Sequence, residues 1–499
     1  MLKLHFWNKI VILAVLTVFF VTGIFILSVP AVNEDLSDFS ATQAMTYLKE
    51  IAKEPHSVFH PEAHERVRLY LKSTLEGFGY TPTEYDWTPA EHQFKDNITH
   101  EGIVTEEQPV AYTVRDLLVK IPGESDTGML LMAHYDSRGH AKRPGEDNKS
   151  NGAADDGYGV ATLLEIARVY QGKTGLKNSL YLLFTDAEET GMYGADLFVN
   201  SEKSRHHMAN VNFVANVEAR GVKGPLYMFE TSTKNQKVLE LYSKAQMPFA
   251  YSLATAVYTV MPNFTDFSVT LDAGKPGINF SVLDSLYYYH SEEDNLNNVN
   301  ANSIQHYGTQ LMPILKEYTE NAKYSDPNYF QAEQDSVFFN VLPGVMAVYS
   351  ETFAYVLAAS VTVIFAAALY TSLKKGKFTW KDFGVQTGIA FALLIACAVF
   401  GLLVSLLMAV LGGVPWNVSY VRVSFGWVGF VLCLIGVIVG IFAYGWKKLR
   451  KDEAKCNAFF AGSLVICLLL GLVTTFVLSG ASFLFVWPAF FGSIAIFVK

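Results

Sequence analysis

Two adjacent glutamates, Glu188 and Glu189, directly follow a short apolar run at 179–184 that predicts a buried β-strand. Carboxylates at the end of a buried strand are costly unless something uses them, because charge is poorly solvated there. A bound divalent metal ion would offset this cost. One carboxylate binds the ion, and the other acts as a base on the water that the ion holds. Taken alone, the pair is more typical of a solvated turn.

A strand and a metal ion make opposite demands on this pair. Successive side chains of a strand point to opposite faces, so Glu188 and Glu189 would diverge if the strand continued. Both can reach one metal cluster only if the turn rotates them. We therefore expect the chain to leave strand geometry at Ala187.

Four other segments carry residue types that bind or orient metal ions, and most of them follow predicted strands. Asp136 lies two residues after His134 and is placed to orient its imidazole. Asp155 lies in a small-residue turn at a helix start, where it is free to bridge two ions. The candidates in these segments are His134, Asp136, Asp155, Asp156, Glu218 and His290.

Each of these residues also has an ordinary explanation when it is taken singly. His134 suits a capped strand end, Asp155 and Asp156 suit a helix N-cap pair, and His290 suits a surface histidine beside acids. Their recurrence at strand ends within one domain is different, because α/β enzymes keep their sites at that edge of the sheet. The set therefore favours a metal centre.

In order, spacing and residue type, this set resembles the M28 family of zinc peptidases over roughly residues 40–322. That family includes the bacterial secreted leucyl aminopeptidases and the glutamate carboxypeptidase II group. The apolar part that follows resembles the membrane-bound branch of the family, the endoplasmic reticulum metallopeptidases and the fungal vacuolar membrane proteases.

The resemblance implies two zinc ions per chain, with Asp155 bridging them. It also implies that Glu188 is the general base, while Asp136 supports His134. Soluble members often have aspartate where this chain has Glu218. The implied ligands are His134 and Glu218 for one ion, Glu189 and His290 for the other, and Asp155 for both.

The activity implied is that of a membrane-anchored dinuclear zinc metallopeptidase. Two ions ~3.5–4 Å apart lower the pKa of a shared water and polarise the scissile carbonyl. Glu188 would take the proton of that water and pass it to the leaving amine. Peptides held by their N-terminal amine near the ions would make the enzyme an aminopeptidase.

Three other interpretations stay open from the sequence. A glutaminyl cyclase-like acyltransferase shares the fold but needs a single-metal set, and a non-catalytic relative would have lost ligands that this chain keeps. A transporter with an accessory soluble domain is the third. Many ion-coupled carriers need charged residues deep inside their spans, and the predicted spans contain none.

The elements that must position these residues alternate between strands and helices. This alternation predicts an α/β domain with a mixed, largely parallel sheet and helices on both faces. The pattern from Ser40 to Gln43 predicts a capping box at the first helix, and 81–108 is expected to be a polar connection. The predicted helices are 41–53, 62–78, 157–170, 192–199, 239–244 and 304–322, and the predicted strands are 110–121, 128–133, 179–184, 211–217 and 277–282.

The charge of the chain divides it into two unlike parts. Its 499 residues are 51% hydrophobic with a mean hydropathy of +0.22 and a net charge of −9. Residues after Glu351 carry 11 basic and 3 acidic side chains, a balance of +8, so residues 1–351 carry −17. An acidic domain is a poor candidate for binding nucleic acid. All four cysteines lie in the apolar part, which excludes cysteine metal ligands from the acidic part.

Apolar stretches predict a membrane protein with three parts. Residues 1–30 would hold a cytoplasmic tip and an anchor at 10–29, residues 31–348 the peptidase domain, and residues 349–499 an all-α membrane domain of about five helices. The stretches lie near 350–370, 384–411, 425–446, 458–478 and 481–498, and the last two could form a tight hairpin.

Lysines and arginines predict the orientation of the chain. Two loops, 374–381 and 447–455, are basic, and the loop between them has only Arg422. By the positive-inside rule both basic loops and the N-terminus lie in the cytoplasm. The peptidase domain then lies outside the cytosol, at the cell surface of a bacterium or in an organelle lumen of a eukaryote. Its expected partners are peptide substrates and the lipid bilayer.

Overall fold

The computed structural model describes residues 17–18, 21–23, 25–87, 112–139, 150–259, 261, 263–417, 423–444 and 452–498. The chain divides into two compact units, and Phe20–Val348 forms one of them. The other contains the C-terminal helices from Tyr349 onwards. Half of the residues of the predicted anchor at 10–29, and residues 447–451 of the predicted basic loop at 447–455, lie outside the described part of the chain.

The unit that ends at Val348 alternates strands and helices. Its strands are β1 (Thr83–Trp87), β2 (Val114–Ile121), β3 (Ser125–His134), β4 (Asn178–Thr185), β5 (Val211–Val217), β6 (Lys223–Thr231), β7 (Gly277–Asp284), β8 (Ser336–Leu342) and β9 (Val345–Ser350). Its helices are α1 (Ala41–Ile51), α2 (Pro61–Gly77), α3 (Gly157–Tyr170), α4 (Tyr193–Asn200), α5 (Arg205–Asn210), α6 (Gln236–Tyr242), α7 (Ser252–Tyr258), α8 (Asp266–Asp272) and α9 (Ala301–Glu320).

Seven of the strands form one mixed sheet in the order β1-β2-β4-β3-β5-β7-β6. The four central strands, β4, β3, β5 and β7, run parallel to one another. β1 and β2 on one side and β6 on the other pair antiparallel. The parallel strands therefore present their carboxyl ends at one common edge, where the predicted site residues follow them.

Side chains of the central strands alternate between two cores, one on each face of the sheet. In β3, Met129 and Leu131 pack in the core under α1, α2, α3 and α9, whereas Leu130 and Met132 pack in the core under α4, α5 and α8. This is the period of two that a strand imposes. Burying one such side chain contributes ~1.5–3 kcal/mol, so the register of each central strand is firmly set. The predicted fold class is confirmed.

Two local predictions were wrong. Residues 83–87, expected within a polar connection, form the edge strand β1. Ser40 does precede α1, but no capping box forms, because its hydroxyl donates to the carbonyl of Asn33 at 2.6 Å. The residues from 88 to 108 of that connection lie outside the described part of the chain.

The C-terminal unit is helical. Three of its helices are long and apolar enough to cross a membrane; at 1.5 Å per residue even 24 residues span about 36 Å, against a hydrocarbon core of about 30 Å. Two further apolar helices are shorter, so the expectation of about five spans stays a prediction for them. The helices are α10 (Glu351–Lys374), α11 (Trp380–Gly412), α12 (Gly426–Tyr444), α13 (Glu453–Val477) and α14 (Phe483–Val498).

Candidate metal centre

The turn after β4 places the two adjacent glutamates. β4 ends at Thr185, and Ala187 has a φ of 57°, in the left-handed region. The expectation that the chain leaves strand geometry at Ala187 is confirmed. The carboxylate of Asp136 accepts hydrogen bonds from the backbone N–H groups of Glu188, at 3.1 Å, and of Glu189, at 3.3 Å.

A buried network behind the turn holds it from the opposite side. The carboxylate of Asp186 accepts the backbone N–H of Arg115 at 2.8 Å and lies 2.8 Å from Nε2 of His64. The backbone N–H of Asp186 in turn donates to Asp116 at 2.9 Å. Because Asp186 is fully buried, these bonds satisfy a group that would otherwise be costly there.

The structure brings the five predicted ligands together as two groups that share Asp155. Within each group the candidate ligand atoms lie within 4.8 Å of one another, and all five residues are buried. Oδ1 of Asp155 lies 3.3 Å from Nε2 of His134, while its Oδ2 lies 3.1 Å from Nε2 of His290. The groups are His134, Asp155 and Glu218, and Asp155, Glu189 and His290.

The donor atoms of these groups fit a bound cation. Among the described residues, Nε2 of His134, Oδ2 of Asp155 and Oε1 of Glu189 are buried and make no hydrogen bond. Buried polar atoms are normally satisfied, so several atoms without hydrogen bonds that converge on a small space are typical of a metal site. Imidazole nitrogens and carboxylate oxygens are the donors that zinc takes in proteins.

The second nitrogen of His134 is fixed by Asp136. Nδ1 of His134 lies 3.0 Å from the backbone carbonyl of Asp136, the better-placed acceptor, and 3.4 Å from its carboxylate. Asp136 thus orients the imidazole mainly through its backbone, whereas its carboxylate holds the turn at Glu188. The sequence pointed to this residue but not to that division of its roles.

Asp294 supports the shared ligand. Its carboxylate accepts the backbone N–H of Ala154 at 2.7 Å and that of Asp155 at 3.2 Å. Asp156 lies outside both ligand groups; it is the N-cap of α3, and its carboxylate accepts the N–H of Gly159. Sequence reasoning missed the role of Asp294, although it lies four residues after His290 in a segment rich in acids.

Burial and neighbouring charges move the pKa values of the acids in opposite directions. Burial raises the pKa of Glu188 well above its usual range, and it raises that of Glu218 to about 7. Burial opposes ionisation of Glu189 as well, but His290 and Arg138 beside it hold its pKa well below the ordinary value. Nη1 of Arg138 donates to Glu189 at 3.0 Å, a contact that sequence reasoning also missed.

Residues 116–315 match the sequence model of peptidase family M28. This segment is an M28 peptidase domain. The vacuolar membrane protease of Candida dubliniensis is 26% identical over 56% of the chain, and the endoplasmic reticulum metallopeptidase 1 of Mus musculus is 27% identical over 60%. The aligned residues span only 28% and 33% of those relatives. The match to the family model and the similarity to these two relatives confirm the predicted family and its membrane-bound branch.

Solved structures of low sequence identity resemble part of the chain. An aminopeptidase from Aneurinibacillus sp. strain AM-1 is 13% identical, with a TM-score of 0.44, and covers 57% of this chain and 95% of its own. A glutaminyl cyclase from Porphyromonas gingivalis is 21% identical, with a TM-score of 0.42, and covers 57% of this chain and 100% of its own.

Proposed function

We propose that the chain is a membrane-anchored zinc aminopeptidase that binds two zinc ions. The observation that carries this proposal is the pair of buried ligand groups that share Asp155. Each group supplies three protein donors, the number that catalytic zinc sites use while keeping a position open for water or substrate. Zinc bound there would supply an activated water and an electrophile for the scissile carbonyl.

Glu188 is the residue that we assign as general base. It is buried and lies beside both groups but belongs to neither, so its carboxylate remains available for proton transfer. The turn at Ala187 and the carboxylate of Asp136 fix its backbone. Glu188 would accept a proton from the attacking water and return it to the amine that leaves.

The preference for N-terminal residues rests on charge. A free N-terminal ammonium is attracted by the carboxylates that surround the centre, whereas a blocked terminus is not. We further propose that the domain acts outside the cytosol, because the basic loops of the membrane part are expected to face the cytoplasm. Its substrates would then be extracytoplasmic peptides.

The full chain, purified in detergent and loaded with zinc, tests the proposal. Two zinc ions per chain and release of N-terminal residues from peptides, but not from their N-acetylated forms, are expected. A chelator should abolish this activity, and added zinc should restore it. Cyclisation of N-terminal glutamine without peptide hydrolysis would identify an acyltransferase instead, and a single zinc in the active enzyme would contradict the dinuclear assignment.

A further inference from the structure

Arg220 leaves the sheet on the same side as the candidate ligand Glu218. The backbone N–H of Glu218 donates to the carbonyl of Phe280 at 3.1 Å, and that of Arg220 donates to Val282 at 3.0 Å. Pairing with β7 thus continues past the end of β5 as far as Arg220. The charge of Arg220 acts on the carboxyl group of Glu218, so the guanidinium lies on the side of the metal centre.

Two tyrosines hold this guanidinium in place. Its carbon lies 5.5 Å from the ring centre of Tyr258 and 5.9 Å from that of Tyr289. Its Nη2 donates to the hydroxyl of Tyr258 at 2.9 Å. Tyr289 stacks on the candidate ligand His290, with ring centres 3.6 Å apart. The same Nη2 lies 3.5 Å from the carbonyl of Phe264, so ring faces and two neutral acceptors hold the cation next to the centre.

Arg220 differs from the other described arginines in having no described carboxylate oxygen within 4.0 Å of its guanidinium. Six others each have a carboxylate oxygen at 3.7 Å or less, whereas Arg220 forms no ion pair with a described residue, and its Nε is buried without an acceptor. The charges of Glu218, Asp155 and Glu230 reach it from beyond ion-pair distance, and the first two belong to candidate zinc ligands. The six paired arginines are Arg66, Arg68, Arg115, Arg138, Arg168 and Arg205.

We propose that Arg220 binds a carboxylate of the peptide substrate and so makes the enzyme selective for substrates that carry one. The planar guanidinium matches a carboxylate with two parallel hydrogen bonds, and the side chain of Arg220 is only partly buried, so a substrate can reach it. The carboxylate is either the C-terminus of a short peptide or the side chain of aspartate or glutamate. This inference rests on the proposed peptidase function and names a specificity-determining residue for it.

Three pairs of substrates separate these sources: Leu-Gly against its C-terminal amide, Leu-Glu-amide against Leu-Gln-amide, and Glu-anilide against Gln-anilide. The wild-type enzyme should prefer the carboxylate member of one pair by ~10–100-fold in kcat/KM, since a hydrogen bond to a charged group contributes ~1.5–3 kcal/mol. Arg220→Met keeps the length of the stem and should bring that ratio close to one, chiefly through KM.

Two further variants control for other effects of the substitution. Arg220→Lys keeps the charge without the planar fork and should retain part of the preference. Arg205→Met removes an exposed arginine that pairs with Glu202 and should keep the wild-type ratio. Zinc content and the melting temperature show whether Arg220→Met is folded; if it is not, the ratio of Arg220→Lys decides, and it must fall below the wild-type value.

The pair that shows the preference identifies the carboxylate that is bound. Hydrolysis without preference in any of the three pairs would overturn the inference while leaving the proposed peptidase intact. An equal fall in kcat/KM for both members of a pair in Arg220→Met would also overturn the inference, because a purely structural role has that effect. If the zinc-loaded wild-type chain hydrolyses none of the peptides, the peptidase proposal fails, and this inference fails with it.

Discussion

Asp155 is the residue on which both ligand groups depend, because its two carboxylate oxygens face different histidines. Its position depends in turn on Asp294, which accepts the backbone N–H of Asp155 and that of Ala154. Burial raises the pKa of Asp294 to about 7. The backbone of the shared ligand is therefore held by one buried carboxyl group.

Asp294→Asn should weaken the binding of both zinc ions, by ~10–100-fold for each, as is usual when a group that orients a ligand is removed. The amide nitrogen of asparagine cannot accept the N–H that one of the carboxylate oxygens accepts in the wild type. Competition with a zinc-binding dye gives the two affinities. Loss of a single ion would contradict the dependence of both groups on Asp155.

Glu188→Gln and Glu189→Gln should separate the two adjacent glutamates. The first variant should keep both zinc ions while kcat falls ~10²–10⁴-fold, as expected for loss of a general base. The second should lose one zinc ion, because a neutral amide is a poorer ligand than a carboxylate. Zinc content and kcat are measured for each variant. The opposite pattern would mean that the two roles are exchanged.

Sequence could locate the candidate ligands because each follows a predicted strand or a helix start, and parallel strands bring such positions to one edge. It could not locate Arg138 or Asp294, because hydrogen bonds across long stretches of chain create their roles. Nor could it assign the carboxylate of Asp136 to the turn rather than to the imidazole. That assignment depends on where Glu188 and Glu189 lie after Ala187 turns the chain.

At the scale of elements, strands buried on both faces were predictable and edge strands were not. The bounds of β5 and α3 agree with the sequence prediction at both ends. β1 and β6, the two edges of the sheet, were missed. β1 has exposed acids at alternate positions, and β6 contains Gly224 and Pro225, residues that disfavour a central strand. The charges and the proline suit an edge that must not pair with another chain.

α9 is tied to β6 by His306. The backbone N–H of Leu226 donates to its Nδ1 at 3.0 Å, and its Nε2 donates to the carbonyl of Met247 at 2.9 Å. These bonds require the neutral ring, and burial lowers the pKa of His306 to about 4. The unfolded chain, with a pKa of about 6.5, therefore binds the proton first as the pH falls.

His306 should accordingly stabilise the domain above about pH 6.5, and this contribution should be lost as the pH falls toward about 4. Between about pH 7.5 and about pH 5 the loss is ~2 kcal/mol. In His306→Gln the pH dependence of the melting temperature over this range should be correspondingly shallower. His206→Gln, which replaces an exposed histidine, should keep the wild-type dependence. Equal slopes for all three chains would refute this linkage.

At the scale of the whole molecule, orientation in the membrane can be tested with cysteines. All four native cysteines lie after Glu351, and Cys456 is exposed next to the basic loop that is predicted to be cytoplasmic. Glu202→Cys adds a thiol at a position whose side chain is 88% exposed in the M28 domain. In intact cells a membrane-impermeant maleimide should label this introduced thiol, and it should label Cys456 only after permeabilisation. The double variant with Glu202→Cys and Cys456→Ser shows which signal comes from the introduced thiol. Labelling of Cys456 in intact cells, and of the introduced thiol only after permeabilisation, would indicate the opposite topology.

The candidate ligands come from separate segments between His134 and His290, with no two ligands of one group adjacent in sequence. No short piece of the growing chain therefore holds a complete set of donors. The second group is finished only after β7 has joined the sheet and His290 has followed it. If the domain is exported as an unfolded chain, it crosses the membrane without its metal. Zinc would then be acquired where the domain folds, so the supply of zinc in that compartment, rather than in the cytosol, would govern how much of the protein becomes active.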